Sequence, residues 1–491
     1  MTHTPGYIRP DLQAFWDRFE EYKLLPYQEE ACQAIVDPRQ CSIQGRKVEG
    51  DEMGMGKTGI NFEAWKRLSQ GHPNQGFGAV VGPALLIAGN NALYTWWRLA
   101  PHWRAPRPAR IEGTAQDRAK MWARYAHNKD AFVCCTREVF LRDWNAGVVP
   151  KRWQIIFTDE AHKHNNRKTK IFQALKQVES TWMIINTGSP MKRGTENLWA
   201  LLNLINPRRW TSYWRFVETY CHVVKNSFGA YEILGPKSDG RLQKDVAFDF
   251  IRRDKKLLKL PGKTRSKAEV EMSPFQYRVY TELVEQSMAE LEGALTVAPT
   301  VLAKITRIRQ LLTTPKLLDP SAEYGAAVED LILRLEESDD KHWCIYTGFA
   351  KALPILKQRL IEEGYPEEGI VILRGGMKTE ELDEALHRFR RTRGIALCSI
   401  LFAESFDLVP SKWGYFLGPQ WDAEENYQAE DRQYRVTTTE PVHFFYAYHD
   451  QAFTDVNQWA TLDRKANAAR RSLLNIEDVR QMILQQKGIA R

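Results

Sequence analysis

Short apolar runs alternate with polar, helix-like stretches along the first part of the chain, up to Asn203. Gly78-Ala79-Val80-Val81-Gly82, Ala131-Phe132-Val133-Cys134-Cys135, Gln154-Ile155-Ile156-Phe157 and Met183-Ile184-Ile185-Asn186 are such runs, each bounded by turn or polar residues. Runs this short, rich in Val, Ile and Phe, predict buried parallel strands with helices between them. The pattern changes from Phe248 to Leu312, where charge rises and the spacing predicts mostly helix. Ile251 to Arg265 alone holds seven basic residues and one acidic. From Trp343 the first pattern returns, with strands expected at His342–Tyr346, Gly369–Leu373, Ile395–Ser399 and Val442–Tyr446. The tail from Val456 reads as helix. It carries seven Lys and Arg against three acids.

This pattern predicts an α/β fold with helices on both faces of parallel sheets. It is built as two lobes with a helical insertion between them and a helical tail. The boundaries expected are 1–207 for the first lobe, 208–325 for the insertion and linker, 326–455 for the second lobe and 456–491 for the tail. A length of 491 residues fits, at about 100–200 residues per domain.

Composition narrows the picture a little. Hydrophobic residues at 43% and charged residues at 26% exclude collagen-like, mucin-like and disordered classes. The 69 basic and 61 acidic residues leave +8, compatible with a polyanionic partner. None of the seven cysteines forms a C-x-x-C pair, so they read as thiols in a reducing compartment rather than zinc ligands. No apolar stretch approaches membrane length, and the start of the chain lacks the features of a signal peptide.

Chemistry enters at Asp51-Glu52-Met53-Gly54-Met55-Gly56-Lys57-Thr58. Gly54 and Gly56 let backbone N–H groups face phosphates. Lys57 supplies charge to the β- and γ-phosphates, and the Thr58 hydroxyl suits Mg²⁺. A helix is expected to begin here with its N-terminus at the anion. The general pattern has glycine where Asp51 stands. A second motif, Asp159-Glu160-Ala161-His162, directly follows an apolar strand. Asp159 at a strand's carboxyl end suits a metal, and Glu160 beside it suits a general base for water.

These motifs together resemble the SWI/SNF-type DEAH-box ATPases of helicase superfamily two. The resemblance runs from about residue 20 to 470 and implies two tandem RecA-like lobes. Leu25-Pro26-Tyr27-Gln28 is similar to the family's adenine-reading motif, which implies that Gln28 reads the base. Asn186-Thr187-Gly188-Ser189-Pro190 resembles its coupling motif. Ile251-Arg252-Arg253 through Leu260-Pro261-Gly262-Lys263-Thr264 resembles its Arg-Arg…Leu-Pro-x-Lys segment. Gln428-Ala429-Glu430-Asp431-Arg432-Gln433-Tyr434-Arg435 resembles its arginine-finger motif and implies that Arg432 and Arg435 are catalytic with Lys57 and Glu160. A guanidinium placed on a transferring phosphoryl group is worth roughly 10³–10⁵ in rate.

Two departures stand out. Ile400 to Leu408, with Glu404, replaces a glycine-rich motif, and Val436-Thr437-Thr438 replaces Ile-Gly-Gln. The resemblance implies ATP and Mg²⁺ as cofactors and sequence-independent contact with the backbone of double-stranded DNA. A monomer with a possible protein partner and no membrane is expected. It implies a translocase on duplex DNA that remodels DNA or DNA-bound proteins. A strand-separating or annealing helicase is the alternative, and a scaffold that has lost hydrolysis is a third reading. The compact length points to a phage or bacterial chain in the cytoplasm, or to the nucleus if the source is eukaryotic.

Overall fold

The computed structural model describes residues 20–41, 43, 45–71, 82–191, 194–225, 231–237, 239–291, 299–402 and 406–463. Fifteen strands are present among them. They are β1 (Arg46–Glu49), β2 (Ala84–Ala88), β3 (Ala109–Arg110), β4 (Phe132–Thr136), β5 (Arg152–Thr158), β6 (Glu179–Asn186), β7 (Cys221–Lys225), β8 (Tyr231–Pro236), β9 (Phe250–Ile251), β10 (Lys263–Glu269), β11 (Trp343–Thr347), β12 (Ile370–Leu373), β13 (Ile395–Ser399), β14 (Trp413–Leu417) and β15 (Val442–Tyr448). They build a seven-stranded sheet in the order β3-β4-β2-β5-β6-β1-β9, a six-stranded sheet in the order β10-β15-β14-β11-β13-β12, and an antiparallel hairpin β7-β8. Every pairing in the two large sheets is parallel.

The chain divides into two compact units, with the change at Leu258/Lys259. In the first unit, alternate residues of each strand enter separate cores. Leu85, Ile87, Val133, Cys135, Ile156, Met183 and Ile185 face one. Leu86, Phe132, Cys134, Ile155, Phe157, Trp182 and Ile184 face the other. Both faces of the sheet are therefore covered by helices, as parallel sheets require. In the second unit one face packs Trp343, Ile345, Leu397, Tyr415 and Leu417. The other face carries a stack of Tyr346, Phe416 and Tyr446, with ring centroids 4.6 and 4.3 Å apart.

Seven of the expected strands lie where the apolar runs placed them, as β4, β5, β6, β11, β12, β13 and β15. Other regions differ. The run at 78–82 lies outside the described residues except for Gly82, and the strand of that region is β2, beyond Pro83. The stretch from Phe248 does not begin as helix. β9 closes one edge of the first sheet and β10 one edge of the second. Residues 208–325 are thus shared between the units, because these two edge strands draw each part into a sheet. Helix follows at Pro274–Leu291 and Pro299–Thr313. In the tail, Phe453–Asp463 is helical, and residues from 464 lie outside the described residues.

Candidate nucleotide site

β5, β6 and β1 are neighbours in the first sheet, so their carboxyl ends lie side by side. Glu49 pairs with Asn186 and Thr158 with Ile185. The three motifs therefore emerge at one edge of the sheet, Asp51–Thr58 after β1, Asp159-Glu160 after β5 and Thr187-Gly188 after β6. Ligands of open α/β sheets bind at such carboxyl ends.

The loop after β1 turns through Gly54 and Gly56, both at φ 81°. That left-handed backbone favours glycine, and a Cβ on Gly56 would also meet Gln28 Nε2 at 2.2 Å. The helix Lys57–Gln70 starts directly after Gly56. Lys57 Nζ donates to the carbonyls of Asp51 at 2.7 Å and Glu52 at 3.0 Å. Gly54, Gly56, Lys57 and Thr58 are half-buried and reachable from solvent, whereas Met55 and Asp51 are fully buried. Gln28 is buried against this loop. Its Nε2 donates to the Met55 carbonyl at 3.0 Å, and its Oε1 accepts from Leu25 N at 2.9 Å. Tyr27 Oη donates to the same Met55 carbonyl at 2.9 Å, with burial pushing its hydroxyl up to about 12.

After β5, Asp159 Oδ2 accepts from Trp96 Nε1 at 2.9 Å, and its Oδ1 accepts from Glu160 N at 2.9 Å. Burial raises the Asp159 carboxyl, and the neighbouring Glu160 adds to this; the Trp96 hydrogen bond and the Lys57 charge pull the other way. Glu160 sits at φ 51°, a left-handed backbone that a residue with a Cβ rarely adopts. Such strain clusters at functional sites. His162 is buried, with its Nδ1 3.2 Å from Glu160 Oε2 and 3.5 Å from Thr187 Oγ1. It thus spans the second and third motifs within this unit.

Several contacts of this site are not given by the motifs themselves. Asn61 Nδ2 donates to Glu49 Oε2 at 2.7 Å, to the Lys57 carbonyl at 2.7 Å and to Asn186 Oδ1 at 3.0 Å. This ties the base of the phosphate-loop helix to β1 and β6. Asp51 accepts from the guanidinium of Arg253, and Arg252 donates to the carbonyls of Gly50 and Gly188. The signal for the first pair is an acid in a glycine position. A buried carboxylate needs a cation, and two arginines stand at 252 and 253.

Arg432 and Arg435 lie in the second unit, in the turns after the helix Ala423–Glu430. Both reach the Phe406 carbonyl, Arg432 Nη1 at 3.3 Å and Arg435 Nη2 at 2.8 Å. Of the two departures, Glu404 lies outside the described residues. At the other, the Thr438 hydroxyl accepts from Arg435 N at 2.8 Å and donates to the Gln433 carbonyl at 3.0 Å, closing the turn that bears the arginine.

Residues 27–317 match the family described as the SNF2-related domain. The chain belongs to the SNF2-related family. Relatives of this SNF2-related chain include Protein CHROMATIN REMODELING 5 of Arabidopsis thaliana, 23% identical over 81% of this chain and 24% of that protein. The ISWI chromatin-remodeling complex ATPase ISW1 of Saccharomyces cerevisiae is 24% identical over 86% of this chain and 38% of its own length. The chain therefore spans only a quarter to two-fifths of these relatives. Among solved structures it is similar to the Sulfolobus solfataricus SWI2/SNF2 ATPase core in complex with dsDNA, with a TM-score of 0.43 and 20% identity over 96% of this chain and 97% of that one. The two units, each built on a parallel sheet, have the α/β architecture expected from the sequence.

Among the described residues no helix is long and apolar enough to cross a membrane, and no cluster of three or more His, Cys, Asp or Glu suits a metal. The donor set at the nucleotide site is of another kind. A hydroxyl (Thr58) and a carboxylate (Asp159) beside a phosphate loop fit Mg²⁺, which takes few protein oxygens and completes its shell from phosphates and water.

Proposed function

We propose that the chain is a DNA-dependent ATPase that moves along double-stranded DNA and remodels DNA or proteins bound to it. One observation carries the reading: the Lys57 loop, the Asp159-Glu160 pair and Thr187-Gly188 emerge from neighbouring strand ends of a chain whose family is SNF2-related. ATP is the substrate, held by the backbone of Gly54 and Gly56, by Lys57 and by the amide of Gln28. Thr58 and Asp159 would hold Mg²⁺, which supplies charge to the phosphate oxygens when bound. Trp96 fixes the orientation of Asp159 through its indole N–H. Glu160 accepts the proton of the attacking water at its carboxylate, with the His162 ring 3.2 Å from its Oε2. Arg432 and Arg435 give up their shared carbonyl to neutralise the phosphoryl group as it transfers. Duplex DNA is gripped through its phosphates, so binding is independent of sequence and falls with salt.

The test is steady-state ATP hydrolysis without nucleic acid and with single-stranded DNA, blunt duplex DNA or duplex RNA. Blunt duplex DNA is expected to stimulate strongly. Lys57→Ala and Glu160→Gln are each expected to lose about 10²-fold or more. Stimulation by single strands or RNA alone, or none by duplex DNA, overturns the reading.

A further inference from the structure

The segment that joins the two units is gripped at both ends, and each grip holds a part of the proposed machinery. At its start, Arg253 clamps Asp51 at the head of the phosphate loop. Its Nε and backbone N–H both meet Asp51 Oδ1, at 3.1 and 2.9 Å, while Nη2 takes Oδ2 and Nη1 takes the Tyr27 carbonyl. Arg252 joins the Gly50 carbonyl to that of Gly188, the latter at 2.9 Å. Lys255 N donates to Glu52 Oε2 at 2.9 Å. Asp51 is fully buried.

Six positions after Arg253 the chain enters the second unit, and from Lys263 it clamps Glu430, the residue two before Arg432. Lys263 Nζ meets Glu430 Oε2 at 2.6 Å, and Arg265 meets both oxygens at 2.6 Å. Tyr446 Oη adds a hydrogen bond at 2.7 Å. Glu430 is also fully buried. Tyr434 Oη, between the two arginines in sequence, donates to the Pro261 carbonyl at 2.9 Å.

A phosphate loop works with glycine at its first position, so Asp51 is not there for phosphate. It is there for Arg253. Likewise Glu430 points away from solvent into β10, not toward a ligand. Both acids spend their charge on the same short stretch of chain. We propose that residues 252–265 are a tether between the phosphate loop and the arginine-bearing turn, with Asp51, Arg253 and Glu430 as its positioning residues. The loop shifts when it takes phosphates; Arg253 follows Asp51, and the covalent chain passes the displacement to β10 and hence to Glu430 and the turn of Arg432 and Arg435. The proposal rests on the nucleotide reading above.

The test uses a slack tether, two glycines inserted after Lys259, which leaves both anchors intact. Hydrogen exchange is followed with and without Mg²⁺ and ATPγS. In the wild type, nucleotide is expected to slow exchange in residues 51–60 and in residues 423–438. In the slack variant, protection of 51–60 is expected to persist while that of 423–438 is lost. DNA-stimulated kcat is expected to fall about tenfold, with KM for ATP within about twofold. Arg253→Met is expected to give the same split, and Arg253→Lys, which keeps the charge but not the fork, a smaller one. Equal protection of 423–438 in the wild type and the slack variant overturns the tether. A wild type unprotected at 51–60 overturns the nucleotide reading with it. A wild type that hydrolyses ATP without DNA stimulation overturns the translocase reading alone, and the exchange experiment still decides the tether.

Discussion

Glu49 and Glu430 are both fully buried glutamates, one in each unit, and burial acts on them in opposite company. Around Glu49, burial and the nearby Asp51 raise the carboxyl to about 8, against the pull of Lys57 and the Asn61 hydrogen bond. Around Glu430, burial also pushes upward, but Lys263 and Arg265 outweigh it and hold the carboxyl below the usual range. Burial and Asp51 thus favour the protonated form of Glu49, and the two cations favour the anionic form of Glu430. Depth alone does not set the charge of a buried group; its charged and hydrogen-bonding partners do. Around Glu49, burial and Asp51 outweigh Lys57, Arg253 and the Asn61 amide. At β10 the partners are cations that the strand presents on alternate residues.

The largest effect should come from breaking the cationic side. Arg265→Met leaves Glu430 under-compensated in a dry site and is expected to cost about 3–5 kcal/mol in urea unfolding. A loss under about 1 kcal/mol would show that Lys263 and Tyr446 suffice alone. Next comes pH. Glu49 binds a proton in the folded chain at pH values where an unfolded glutamate has lost it. Its contribution is complete below the ordinary carboxylate range, falls by about 1.4 kcal/mol per pH unit as pH rises toward 8, and then levels off. Glu49→Gln should flatten that slope and cost little at pH 7. An unchanged slope would mean that Lys57 keeps Glu49 ionised. Glu430 has the opposite sign: its contribution holds at neutral pH and is lost as pH falls below the ordinary carboxylate range, and Glu430→Gln should flatten only that acid limb. Smaller again is Asn61→Ala, which removes the donor from Glu49 and should cost about 1–2 kcal/mol. Smallest is Thr438→Val, at about 0.5–1 kcal/mol, read as faster exchange at Arg435 N–H.

The same contrast explains which parts were legible in the sequence. β4, β5, β6, β11, β12, β13 and β15 announce themselves because central parallel strands are apolar on both faces. β1 does not, since Arg46, Lys47 and Glu49 fill three of its four positions. Their charges are hidden by partners distant in sequence: Arg46 reaches the carbonyls of Ser180 and Leu204, and Lys47 that of Phe248. β10 is hidden in the same way, with Lys263, Arg265 and Lys267 falling in the charged stretch that reads as mostly helix until Glu430 is placed beside two of them. The phosphate loop and the acid pair are legible because their chemistry fixes residue types at fixed spacing. The supports of that site, Trp96, Asn61 and the pairing of Arg253 with Asp51, are not. Each acts through hydrogen bonds or ion pairs whose partners only the fold brings near.

The pairing of β10 with β15 has a consequence for how the chain is made. Lys263 lies opposite Val442, 179 positions later. The first sheet has all its strands once Ile251 is made, but β10 waits for its neighbour while those residues are synthesised. At about 5–20 residues per second that wait is on the order of ten seconds or longer. A bare strand edge is an invitation to aggregate, and lysines and arginines along it are the usual protection. The cations that later close on Glu430 are therefore already useful on the ribosome, keeping an unpaired strand in water until its partner emerges.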